Sequence, residues 1–190
     1  MAEALATKED VVAALGRDLT ASETKQVNVH LLKVSELFRI EARQQFTQGR
    51  STNRLRVTAG ALTLLQRPVR AVLTVDGQPG DRFTLIGQRL EVPAQTGTFV
   101  VVDYEHGYDD GQIPSLVTLT IAGIVAQLFE ADPRARAGVA QRGETRGPFS
   151  VQETYAAWAQ GAAPRLAPDD IKTAQSYRVK SYGLIVQGYR

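Results

Sequence analysis

The sequence predicts an α+β protein: a helical core of two N-terminal helices and a buried third, an inserted small antiparallel β module, and an extended C-terminal arm. Three observations predict it. Apolar residues between positions 21 and 46 recur at helical spacing. Residues 55–106 switch to short runs rich in Val, Leu, Thr and Phe, separated by turn residues. Helical spacing then returns after Pro114. The boundaries that follow are 1–54 for the N-terminal helices, 55–106 for the β module, 107–133 for the third helix and 134–190 for the arm.

Thr7 is placed to N-cap the first helix, TKEDVVAALG, with Glu9 and Asp10 near its positive end and Gly16 as its stop. Thr20-Ala21-Ser22-Glu23 has capping-box spacing and opens the second. Val27, Leu31, Val34 and Phe38 follow at steps of four, three and four, with Leu37 and Ile40 widening the stripe. Lys25, Lys33, Glu36, Arg39 and Arg43 lie mostly outside that stripe, and the helix is expected to run to Phe46, with Gly49, Ser51 and Asn53 marking its exit. RLRVTAGALTLL, VRAVLTVDG, RFTLIG, RLEVPA and GTFVVVDYEHG then read as about five strands, punctuated by Asp76-Gly77, Pro79-Gly80, Gly87 and Gly97.

In the third helix Leu116, Leu119, Ile121, Ile124, Val125, Leu128 and Phe129 crowd almost every face before Pro133. Such a helix is expected to be buried, in a core or between subunits. Leu116, Leu119, Ile124, Leu128 and Phe129 are the candidates for subunit contacts. Beyond it, ARAGVAQRGETRGPF reads as a mobile arm, and FSVQETYAAW as an extended segment presenting Phe149 and Val151. LAPDDIKTAQSYR reads as a short helix started by Pro168 and Asp169.

Composition narrows the function classes. In 190 residues, 43% hydrophobic and 22% charged, the charges balance to +2, so no bulk field points to nucleic acid. No cysteine is present, which removes disulfides, thiolate nucleophiles and Cys-type zinc sites and fits a reducing compartment. The N-terminus MAEALATKEDVV has no apolar run of the signal-peptide kind, and no stretch reaches membrane-span length. A soluble protein made inside the cell, with no membrane contact, is expected.

The densest cluster of reactive side chains is VVVDYEHGYDDGQ. Asp103, Glu105, His106, Asp109 and Asp110 suit metal ligands, or the acid and base of a metal-assisted hydrolase. On a strand, however, Asp103 and Glu105 share one face while Tyr104 and His106 share the other. Asp109-Asp110-Gly111 has turn chemistry. A strand end followed by a turn is the stronger reading, with no catalytic residue, metal or cofactor. His30 has no HxxxH partner, and no GxSxG elbow, phosphate loop or dinucleotide fingerprint occurs. A β-type ligand-binding module over 55–106 is a further alternative. Arg134, Arg136, Arg142 and Arg146 suit phosphates or an acidic protein surface, against the plain reading of a solvated loop. Tyr177, Arg178, Tyr182, Leu184, Ile185, Val186, Tyr189 and Arg190 make an apolar-aromatic tail suited to a partner surface, or to docking on the chain's own core.

The order of parts resembles the head-to-tail adaptors, or head-completion connectors, of long-tailed bacteriophages. The resemblance rests on LATKEDVVAALGRDLTASE, a long amphipathic helix, YEHGY before IPSLV, and GPFSVQETY, and it spans essentially the whole chain. The β module looks larger than the short connection found at that place in smaller adaptors. The resemblance implies a virion protein of the neck, present in the host cytoplasm during assembly. It implies a ring of copies, commonly twelve, beneath the portal protein and around a DNA channel. The C-terminal arm, with Phe149 and Val151, would grip the portal, and another face would receive a tail-side neck or stopper protein. Genomic DNA would pass without sequence recognition. No catalytic residue or cofactor belongs to such a family.

Overall fold

The computed structural model describes residues 3–131, 141–146, 149–154 and 164–179, the two middle segments through their backbone alone. The protein is α+β, with helices and a small antiparallel β module. One compact unit is built from the chain up to Ala42 and from Ile113 to Ser176, the other from Arg43–Gln112 with the segment that begins at Tyr177. Among the described residues no helix is long and apolar enough to cross a membrane.

The helical unit begins with α1, Lys8–Leu15. Thr7 and Asp10 close a reciprocal capping box: the Asp10 N–H donates to Thr7 Oγ1 (3.2 Å) and the Thr7 N–H to Asp10 Oδ2 (2.7 Å). Gly16 ends the helix at φ 65°. Thr20 and Glu23 repeat the box at the start of α2, Ala21–Ala42, and Arg17 grips the Glu23 carboxylate with two bonds of 2.9 Å. That fork holds the Glu23 carboxyl down to about 2. Val27, Leu31, Val34 and Phe38 are buried, as their spacing predicts.

Three expectations for α2 need correction. Ile40, placed in the apolar stripe, is 61% exposed. The helix stops at Ala42 rather than Phe46, because Arg43 takes a left-handed turn at φ 54°. Arg39 is not on the outer face but 4% exposed: its guanidinium donates to the Glu3 carbonyl (2.6 Å). One turn earlier, buried Ser35 accepts the Leu5 N–H at 2.9 Å. From α3, Thr118 Oγ1 donates to the Leu5 carbonyl at 3.4 Å. Polar side chains at helical spacing thus fasten the extended N-terminal segment, so that its backbone groups stay paired where Leu5 and Ala6 are buried.

α3, Ser115–Glu130, packs on α1 and α2 and buries Val117, Ile121, Ala122, Ile124, Val125, Ala126 and Phe129. It is not buried all round. Leu116 and Leu119 are 54% and 64% exposed, because two packed helices cover only part of its circumference. α4, Pro168–Ser176, lies against α2, burying Ala174 and setting Gln175 Nε2 at 3.2 Å from Glu41 Oε2. The Gly- and Arg-rich stretch expected to be a mobile arm instead contains a strand. Residues Gln141–Arg146 and Phe149–Thr154 (β8 and β9, following the seven strands of the β unit) pair antiparallel, with Arg146 opposite Phe149 and Gln141 opposite Thr154.

The β unit has seven strands rather than about five: β1 Gly49–Arg56, β2 Ala61–Thr63, β3 Val69–Val75, β4 Gln78–Pro79, β5 Leu85–Ile86, β6 Arg89–Glu91 and β7 Phe99–His106. β1, β7, β3 and β4 form one sheet in that order, and β2, β6 and β5 another. Val57, Leu62, Leu64, Val75, Leu90, Val92, Val100, Val102 and Tyr104 form its core. The unit starts before residue 55, because the polar run after Gly49 is an edge strand whose partner, β7, supplies the pairing.

Candidate functional site

The acidic cluster is the end of β7 and the turn beyond it, and strand alternation divides it. Asp103 and Glu105 stand on the outer face, where Arg50 Nε donates to both Asp103 oxygens (2.8 and 3.0 Å) and Arg50 Nη2 also pairs with Oδ2. Thr52 adds a contact of 3.3 Å, and the guanidinium holds the Asp103 carboxyl below its ordinary range. His106 is on the inner face, 2% exposed, its Nε2 at 2.9 Å from Ser51 Oγ. Burial lowers its pKa, so the ring is neutral. Asp109 turns away from both, to Gln48 Nε2 (2.9 Å) and the Arg70 guanidinium. Asp110 is exposed in the turn. Among the described residues, no three His, Asp or Glu side chains come together as metal ligands.

A serine hydroxyl against an imidazole is the beginning of a nucleophile-and-base pair. Here the carboxylates that would orient the ring stand on the opposite face of the strand, and the ring is sealed beneath Tyr104 and Gly49. The pair satisfies polar groups at the rim of the core.

What YEHGYDD does is fasten the β unit's exit to its entry. The Tyr104 hydroxyl donates to Asn53 Oδ1 (2.9 Å) and accepts the Gln66 N–H (3.1 Å). Gly107, at φ 103°, passes so close to the segment entering the β unit that a Cβ would sit 2.1 Å from the Thr47 carbonyl oxygen. Its N–H donates to the Pro68 carbonyl, and the Tyr108 N–H to the Phe46 carbonyl, both at 2.9 Å. Two glutamines complete the fastening reciprocally. Gln44, 2% exposed, donates to the Leu65 carbonyl (2.6 Å) and accepts the Arg67 N–H (3.0 Å). Gln66 accepts the Gln45 N–H (2.8 Å) and donates to the Arg43 carbonyl (3.3 Å).

Tyr177 belongs to this junction rather than to a free tail. Its ring meets Phe46 edge-on (centroids 5.4 Å apart) and lies under the Arg67 guanidinium (5.9 Å), which also donates to the Tyr177 carbonyl. It follows the self-docking alternative. Arg178 is half-buried. Tyr182, Leu184, Ile185, Val186, Tyr189 and Arg190 lie outside the described residues, as do Arg134 and Arg136. Phe149, Val151, Arg142 and Arg146 fall on β9 and β8, where only the backbone is described. Of the predicted subunit contacts, Ile124 and Phe129 are taken up by the chain's own core, Phe129 edge-on to His30 at 5.7 Å. Leu128 is half-buried, and Leu116 and Leu119 remain outward.

One surface escaped the sequence reading. On the outer face of β1, Arg50, Thr52, Arg54 and Arg56 alternate beside Phe99 (54% exposed) and Val101 (42%) of β7, with Arg54 5.1 Å over the Phe99 ring. The period-two spacing of RSTNRLR was the available signal. In comparisons with known proteins, no family model and no curated protein matches the chain.

Proposed function

We propose that this chain is a structural subunit of a phage neck, a head-to-tail adaptor. Copies assemble into a ring between the portal and the tail-side protein and continue the DNA channel. The observation that carries the reading is the outward pair Leu116 and Leu119, each more than half exposed on the first turns of a helix otherwise given to the core. Val29, Leu32 and Ile40 on α2 are likewise 51%, 43% and 61% exposed. Apolar surface of this kind suits burial against further copies. The division of the acidic cluster into an Arg50 pair, a sealed His106 and an Asp109 tether supports a scaffold over a hydrolase. So does the motif order set out above.

The portal contact is assigned to the tail after Tyr177, which the Phe46–Arg67 clasp launches from the β unit. Arginines stay against protein, since clamps on phosphates would impede a moving duplex. The test is to mix the chain with purified portal rings and examine them by negative stain. Rings capped by the wild type, and not by the double variant Leu116→Asp, Leu119→Asp with an unchanged melting temperature, are the expected result. A wild type that stays monomeric and leaves portals bare sinks the proposal.

A further inference from the structure

Among the described residues, β1 is the longest outer strand of either sheet, eight residues against two or three for β2, β4 and β5, and the β8–β9 ribbon has no third strand. β1 pairs with β7 alone in its sheet, and among the described residues β8 and β9 pair only with each other. Hydrogen bonding fixes which backbone groups of β1 are open. The Val57 N–H donates to the Thr98 carbonyl (2.8 Å) and the Gly97 N–H to the Val57 carbonyl (2.9 Å). By strand alternation, Gly49, Ser51, Asn53 and Leu55 also face β7, while Arg50, Thr52, Arg54 and Arg56 turn their N–H and C=O groups to the free edge. An eight-residue edge of this kind is a template for another strand. Charged side chains usually guard such edges. Here Arg50 is drawn onto Asp103 and Arg54 over Phe99, both toward β7 and away from the edge.

A two-stranded ribbon is marginal in water without a third strand. β9, FSVQET, is six residues long and carries one acid and no base, against three arginines on β1. β8, QRGETR, carries two arginines and suits that edge less well. We propose that β9 of one copy adds to the β1 edge of the next. The β8–β9 ribbon thereby extends the neighbour's four-stranded sheet by main-chain hydrogen bonds, a strand with one acid and no base set beside one with three arginines. Each chain then offers one donor and one acceptor, the head-to-tail arrangement from which a closed ring is built. This names the contact within the ring reading and rests on it.

The absence of cysteine makes the test direct. Thr52→Cys and Gln152→Cys each give the full-length chain a single thiol. The two are mixed, one carrying an affinity tag so that the mixed dimer has its own mass, and joined with a short bismaleimide under conditions where the chain sediments as an oligomer. A mixed dimer well above either homodimer is expected. Separately, Thr52→Pro removes an N–H that faces the free edge and spares the β1–β7 ladder, whereas Thr52→Val keeps it. The valine variant should assemble as wild type, and the proline variant about tenfold more weakly at an unchanged melting temperature. Oligomers without a mixed dimer, or joined only Thr52-to-Thr52, overturn strand addition and leave the ring standing. A chain that never associates removes both.

Discussion

Gln44 is a polar side chain in an apolar place, and its reason is the loop twenty-one residues away whose backbone it satisfies at Leu65 and Arg67. Truncation would remove the side-chain partner of a part-buried carbonyl and a part-buried N–H together. Gln44→Ala should therefore cost about 1–3 kcal/mol, read from urea unfolding of the whole chain. His106 sets a pH dependence of definite sign. Its folded pKa lies below the unfolded 6.5, so its contribution is complete above pH 6.5 and declines as pH falls toward the folded value. Melting should be level from pH 8 to about 7 and drop by pH 5.5, and His106→Gln should flatten that decline. Glu23 acts lower on the scale. With its carboxyl held to about 2 against an ordinary 4.5, its share disappears only between those two values as pH falls.

At the scale of elements, the helices were legible because each carries its own signals. Thr7 with Asp10, Thr20 with Glu23, and the steps of four, three and four from Val27 to Phe38 are local facts that the structure repeats. The contrast within α2 is measurable. Phe38→Ala, at 0% exposure, should cost about 3–5 kcal/mol, while Ile40→Ala, at 61%, should stay within about 0.5 kcal/mol in the same unfolding experiment. β1 was not legible. GRSTNRLR has one apolar residue, Leu55, and as an edge strand it owes its form to the register with β7. β8 was hidden for the same reason, since Gly143 and five polar residues give no strand signal until β9 lies opposite.

Across the whole molecule, the chain leaves the helical fold after Ala42, builds a β unit, returns at Ile113, and at Tyr177 belongs to the β unit again. The tail is thus two things, an anchor at Tyr177 and whatever follows. Truncation after Val179 should leave the unfolding midpoint unchanged and abolish capture by portal rings. Truncation after Ser176 also removes the ring contacts with Phe46 and Arg67, and should cost the β unit about 1–3 kcal/mol. Differential scanning calorimetry of the two truncations separates the roles.

By itself the sequence determined the helical capping, the apolar stripe of α2, the existence of an inserted β module, and the split of Asp103 and Glu105 from His106. Each follows from neighbours within a few residues, through hydrogen bonds and periodicities that the backbone imposes locally. Only the tertiary structure decided that Arg39 turns inward to the Glu3 carbonyl, that Leu116 and Leu119 stay uncovered, that a polar run becomes β1, and that Tyr177 closes on Phe46. These depend on what arrives from 36 to 131 residues away: burial and pairing are properties of a surface shared between distant segments, and no single segment encodes its half of that surface alone.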